Sequence, residues 1–179
     1  MVVDRRHFTT RLPGIGMLAL ATAHGVSPAQ SVPDGEATAP ALPKIGSPLR
    51  VPEVSLFDGS HFAAGQADGK VLVIYWWASW CPFCAEQSPY MEKLWLSQRS
   101  HGLQMLALSI DRKRDDATQY LKKKGYTFPA ALVTPEIARV IPKPKGLPVT
   151  LVRGRDGTVL QAEKGQLFPE DVAQFSRWL

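Results

Sequence analysis

From Val51 onward the hydrophobic and polar positions of this chain fall into regular periods. "VPEVSLFDGSHFAAG" (51–65) alternates on either side of the turn dipeptide Asp58-Gly59 and predicts a small hairpin. "KVLVIYWW" (70–77), bounded by Gly69, is an almost continuous apolar run, the pattern of a strand covered on both faces at the centre of a sheet. In residues 82–100, Met91, Leu94, Trp95 and Gln98 recur at spacings of three and four. They predict a helix with Pro82 in its first turn and a kink at Pro89. "LQMLALSI" (103–110) predicts a second buried strand. "DDATQYLKKKG" (115–125) predicts a helix with Ala117, Tyr120 and Leu121 inward and Gly125 as its stop. "TPEIARVI" (134–141) has the cap Thr134 followed by Pro135 at the first helical position. "VTLV" and "TVLQA" flank Asp156-Gly157 as a second hairpin, and "PEDVAQFSRWL" closes the chain with Val172, Phe175 and Leu179 on one face. The sum is a β-α-β half, a helix, and a β-β-α half.

The first 49 residues show no such period. "MVVDRRHFTTRLPGIGMLALATAHGVSPAQS" runs from a basic stretch with Arg5-Arg6 through a short apolar run, Leu12 to Ala23, into small residues. This is the order of an export signal over residues 1–29, and the apolar run is too short for a membrane-spanning helix. "DRRHFTT" resembles the twin-arginine export signature, with a general secretory signal as the alternative. Residues 30–49, rich in Pro, Ala and small polar side chains, read as a flexible tether, which leaves 50–179 as one folded domain. The composition, 45% hydrophobic and 21% charged over 179 residues, suits one domain plus an extension. The net charge of +5 includes Arg5, Arg6, Arg11 and Asp4 of the signal, so export lowers it by two. Arg112 to Arg114 and Lys122 to Lys124 lack interleaved aromatics. They read as solvated edges, with no nucleic acid as partner.

Both cysteines lie in "WASWCPFCAEQSP" (77–89), at the junction of a strand and a helix. A thiolate is the reactive form of cysteine, and the free N–H groups and dipole of a helix N-terminus lower a thiol pKa to about 3.5–7.5 in such motifs. Cys81 occupies that place as nucleophile, and Cys84, one turn on, can attack a mixed disulfide on Cys81 and release the partner. Pro82 withdraws one N–H from the sulfur, Phe83 adds apolar cover, and Trp80 is expected to pack beside the couple and limit solvent access. Zinc would need two more ligands, and His61 and His101 are not in a ligand spacing. Covalent haem would need a histidine where Ala85 stands. A purely structural bridge closing so small a loop would add little stability. The pair therefore reads as a redox couple that needs no metal or organic cofactor. Trp76 and Trp77 read as core and site wall.

The order of elements, with "WWASWCPFC", "KGLPVT" and "RDGTVL" in sequence, resembles the thioredoxin fold, and more narrowly the exported TlpA/ResA group that includes the cytochrome c maturation thioredoxin CcmG. The resemblance covers about Leu49 to Leu179. It implies an α/β fold with a central mixed sheet flanked by helices and an N-terminal hairpin extension. It further implies a cis-proline at Pro148 facing the cysteines, with the Leu147 backbone free to pair with an extended substrate. Two positions depart from the family. Tyr75 stands where thioredoxins place an Asp, and Gln87 stands where the group commonly has Glu, which makes Glu86 the candidate for proton transfer to Cys84. Lys143 and Lys145, just before Pro148, are candidates for choosing an acidic or membrane-associated partner. The resemblance implies a periplasmic or otherwise exported, monomeric thiol-disulfide oxidoreductase. It would act as a reductase, take electrons from a membrane thiol donor and act on protein disulfides. A disulfide-donating oxidant of the cell envelope and a non-catalytic binding module are the alternatives.

Overall fold

The computed structural model describes residues 39–179. The export signal and the first part of the tether lie outside the described residues. The elements in chain order are β1 (Val54–Ser55), β2 (His61–Phe62), β3 (Leu72–Trp77), α1 (Pro82–Gln98), β4 (Gln104–Ser109), α2 (Arg114–Lys124), β5 (Ala130–Leu132), α3 (Pro135–Val140), β6 (Val149–Arg153), β7 (Val159–Lys164) and α4 (Pro169–Ala173), which runs into a 3₁₀ turn, Gln174–Trp178. Five strands form one sheet in the order β5-β4-β3-β6-β7, and β1 and β2 form a separate antiparallel hairpin. β3 pairs in parallel with β4 and antiparallel with β6, so the sheet is mixed.

Two cores explain why β3 lacks an alternating pattern. Successive side chains of a strand point to opposite faces. Val73, Tyr75 and Trp77 join Met91 and Leu94 of α1, Leu121 of α2, and Val172 and Phe175 near the C-terminus. Leu72, Ile74 and Trp76 join Val54, Leu56 and Phe62 of the hairpin region and Ile137 of α3. Every residue of β3 is buried, because helices lie on one face and the hairpin with α3 on the other.

The sequence periods miss β5. Its three residues, "AAL", are too few and too small to show a period, and the strand exists because it pairs with Ala107 to Ser109 of β4. α1 runs through Pro89 as one 17-residue helix. The expected closing helix is short and tightens to 3₁₀ geometry after Ala173.

One further expectation is corrected. The end of the tether is docked: the Gly46 N–H donates to the Val159 carbonyl at 2.8 Å, the Val159 N–H to the Ser47 carbonyl at 2.9 Å, and the Leu49 N–H to the Gly157 carbonyl at 2.9 Å. Arg153, itself buried, donates to the Leu49 carbonyl at 2.9 Å and the Ala67 carbonyl at 2.9 Å, and pairs with Asp68. These bonds come from residues about a hundred positions away, which a local composition cannot reveal. Arg114, exposed as its reading as a solvated edge expects, also donates to the Leu56 and Phe57 carbonyls at 3.2 and 3.0 Å, and its guanidinium lies over the Phe57 ring. It ties α2 to the hairpin.

Candidate active site

β3 ends at Trp77, and a three-residue turn leads from it to Cys81, the cap of α1. The turn closes with the Cys81 N–H donating to the Ala78 carbonyl at 3.2 Å. Cys81 keeps an extended backbone (φ −85°, ψ 114°), so its sulfur swings over the helix end and accepts the Cys84 N–H at 3.2 Å. Pro82 fills the first helical position, where its fixed φ suits the helix and its missing N–H leaves no helical bond unmade. Cys81 and Cys84 are joined as a disulfide, with their Cα atoms 5.2 Å apart. Both are nearly buried, Cys81 4% and Cys84 1% exposed.

Trp80 and Phe83 are 65% and 56% exposed. Trp80 therefore does not seal the couple from solvent. It sits in the turn beyond the end of the sheet, and the cysteines themselves belong to the buried cluster that includes Trp77, Ala78 and Met91. The Leu147-Pro148 bond is cis, and Pro148 is buried. Pro148 immediately precedes β6, whose first residue pairs with Trp76, so it lies at the same end of the sheet as the cysteine turn. The Pro148 carbonyl accepts the Gly165 N–H, whereas no hydrogen bond from the described residues reaches the Leu147 N–H or carbonyl. Lys143 belongs to this loop: its ammonium donates to the carbonyls of Pro144 and Gly146 at 2.8 and 3.1 Å. Lys145 is exposed.

The Tyr75 hydroxyl donates to the Cys84 carbonyl at 3.2 Å and lies 3.1 Å from Ser88 Oγ, which also donates to that carbonyl at 2.7 Å. Burial pushes the Tyr75 phenol well above its usual range, so it holds its proton at neutral pH and serves as a brace. Gln87 is fully buried. Its amide donates to Thr150 Oγ1 at 3.0 Å and accepts the Leu167 N–H at 2.8 Å, which joins α1 to β6 and to the segment before α4. Glu86 points the other way: it is exposed and its carboxylate accepts the Gln166 amide at 2.7 Å. Any proton it exchanges with Cys84 must travel through water. One buried group near the site has no sequence period to announce it, namely Asp111 after β4, bonded to Ser79 and Ser109.

The disulfide between two cysteines three positions apart at a helix N-terminus, the cis-proline loop at the same end of the sheet and the five-stranded mixed sheet together define a protein of the thioredoxin-like class. The profile of the Redoxin family matches residues 44–141, more than half of the chain, and the chain belongs to that family. It is similar to the thiol-disulfide oxidoreductase ResA of Bacillus thuringiensis subsp. konkukian, at 27% identity over 126 residues covering 68% of this chain and 70% of the relative. The ResA of Bacillus subtilis is 23% identical over 110 residues, 62% of each chain. Among solved structures, a thiol:disulfide interchange protein of Chlorobium tepidum TLS superposes with a TM-score of 0.69 at 21% identity, covering 75% of this chain and 97% of that one. A secreted Mycobacterium tuberculosis disulfide oxidoreductase gives 0.62 at 16% identity, covering 71% and 95%. These structures share the fold.

Proposed function

We propose that this chain is an exported thiol-disulfide oxidoreductase that works as a reductase of protein disulfides. The observation that carries the proposal is the Cys81–Cys84 pair at the start of α1, with the Cys84 N–H directed at the Cys81 sulfur. In the reduced protein that N–H and the helix dipole stabilise the Cys81 thiolate. The thiolate attacks one sulfur of a substrate disulfide; a mixed disulfide forms and the other substrate sulfur leaves as a thiolate that takes a proton. Cys84, deprotonated, then attacks the Cys81 sulfur, the mixed bond breaks, and the substrate leaves with both sulfurs reduced. The Cys81–Cys84 disulfide is the oxidised product, and an external dithiol at the membrane returns the electrons. Trp80, Pro82 and Phe83 form the exposed face on which substrate rests, and the Leu147 backbone next to Pro148, without a hydrogen bond among the described residues, pairs with its extended chain.

The names of the relatives support the reaction class, and the twin-arginine-like start supports export. Among the described residues no helix is long and apolar enough to cross a membrane. In this reading residues 1–29 are removed, the tether ends near residue 43, and the protein acts as a monomer. The deciding experiment is insulin reduction in dithiothreitol, followed by the reduction potential. Wild-type protein should accelerate the reaction and Cys81→Ser should not; equal rates would leave only a binding module. A potential near the about −270 mV of thioredoxin supports the reductase, and one near about −120 mV reverses the direction of electron flow.

A further inference from the structure

Asp111 is buried, carries a carboxylate, and has no part in the exchange steps above. It follows β4 at the carboxyl ends of the parallel strands, the end of the sheet at which the cysteines lie. Its carboxylate accepts the Ser79 N–H at 3.0 and 3.2 Å, the Ser79 hydroxyl at 2.6 Å and the Ser109 hydroxyl at 2.6 Å, and its own N–H donates to Ser109 Oγ at 3.0 Å. Ser79 is the middle of the turn that ends in Cys81. Among the described residues Asp111 is the only charged side chain hydrogen-bonded to residues 78–81.

Position and charge then act together. Three bonds from one buried side chain hold the Ser79 backbone and hydroxyl, and so hold the turn that presents the Cys81 sulfur. A carboxylate placed beside that turn also acts on it electrostatically, because a like charge disfavours a neighbouring thiolate. Reduction of the disulfide takes up two electrons and two protons; the less the Cys81 thiolate is stabilised, the less favoured the reduced form, and the more readily the couple gives its electrons away.

We propose that Asp111 is a positioning residue for the cysteine couple, which fixes the Ser79 turn and holds the couple toward the electron-donating side. The inference rests on the oxidoreductase reading and adds a determinant of its direction. Asp111→Asn keeps the shape and an acceptor for Ser79 but removes the charge, whereas Asp111→Ala removes both.

The experiment equilibrates the whole chain with reduced and oxidised glutathione at neutral pH, where two glutathione thiols become glutathione disulfide as Cys81–Cys84 opens. Insulin reduction rates are measured beside it. In Asp111→Asn the equilibrium constant for reduction should rise about tenfold, equivalent to about 30 mV upward. In Asp111→Ala it should rise similarly, and the rate should fall about tenfold or more below that of Asp111→Asn, because the turn is no longer held. An unchanged constant in Asp111→Asn overturns the electrostatic role, and equal rates in the two variants overturn the anchoring role. Should the Asp111 variants fail to fold, Ser79→Ala decides: it leaves the charge with one donor fewer, so the constant should fall, and a rise overturns the proposal. A wild-type couple that never equilibrates with glutathione refutes the oxidoreductase reading, which separates that failure from a failure here.

Discussion

Cys81 and Cys84 were legible in the sequence because their chemistry is local: three positions apart, at a junction that strand and helix periods mark independently. The bonds of Gln87 were not legible, because its partners Thr150 and Leu167 lie 63 and 80 positions away. Trp80 and Phe83 show the complementary failure, since a sequence can place an aromatic beside a cysteine without saying which side of it faces water. Their exposure yields a prediction. Trp80→Ala and Phe83→Ala should change stability by less than about 0.5 kcal/mol, since exposed side chains contribute little to the fold. Steady-state kinetics should show a higher KM for a protein substrate and an unaltered rate with a small disulfide. Glu86→Gln tests the remaining carboxylate. With its charge at the surface and bonded to Gln166, the pH dependence of thiol exchange should stay where it is, and a displaced profile would assign it the proton transfer.

At the level of elements, α1 is the member that joins the site to the rest of the molecule. Its first turn carries the disulfide, and three turns along Glu92, buried, accepts the Thr127 N–H at 2.8 Å, the Thr127 hydroxyl at 2.6 Å and the Phe128 N–H at 3.1 Å. That carboxylate holds the loop leading into β5, the strand with no sequence period of its own. Glu92→Ala strands three donors in a partly buried loop, and urea unfolding should show a loss of about 2–4 kcal/mol, given about 1–3 kcal/mol for each unsatisfied buried group. Glu92→Gln, which still accepts, should lose less. The amphipathic helices were legible because a 3.6-residue period survives in any context, whereas β5 needed β4 beside it before it could be seen.

For the whole molecule, the described fold begins before residue 50. A chain starting at Arg50 forfeits the Gly46, Ser47 and Leu49 pairings and leaves buried Arg153 short of one acceptor. Compared with a chain starting at Ala39 it should be less stable by about 2–4 kcal/mol in urea unfolding, since a hydrogen bond to a charged group contributes about 1.5–3 kcal/mol. Alkali supplies a second global test. Burial, with Tyr120 and Glu92 nearby, pushes the Tyr126 phenol up to about 12, and burial also raises Tyr75 and Tyr120. The unfolded chain releases these protons near pH 10 while the native state still holds them, so the contribution is complete below about pH 10 and declines as pH rises toward 12. Urea midpoints should therefore hold steady through neutral pH and fall above about pH 10. Tyr126→Phe, which keeps the ring against Phe128, should make that fall shallower.

The docked segment also settles an orientation. Pro48 bridges to Thr158, in the hairpin turn that follows Arg153, and Arg153 pairs with Leu72 at the start of β3; the cysteine turn follows Trp77 at the other end. At about 3.3 Å per residue, β3 puts roughly 17 Å between those two poles. Residues 46–49 therefore hold the domain at the pole opposite the Cys81–Cys84 turn, and the hydrogen bonds that fix them are made without touching the end of the sheet where thiol exchange takes place.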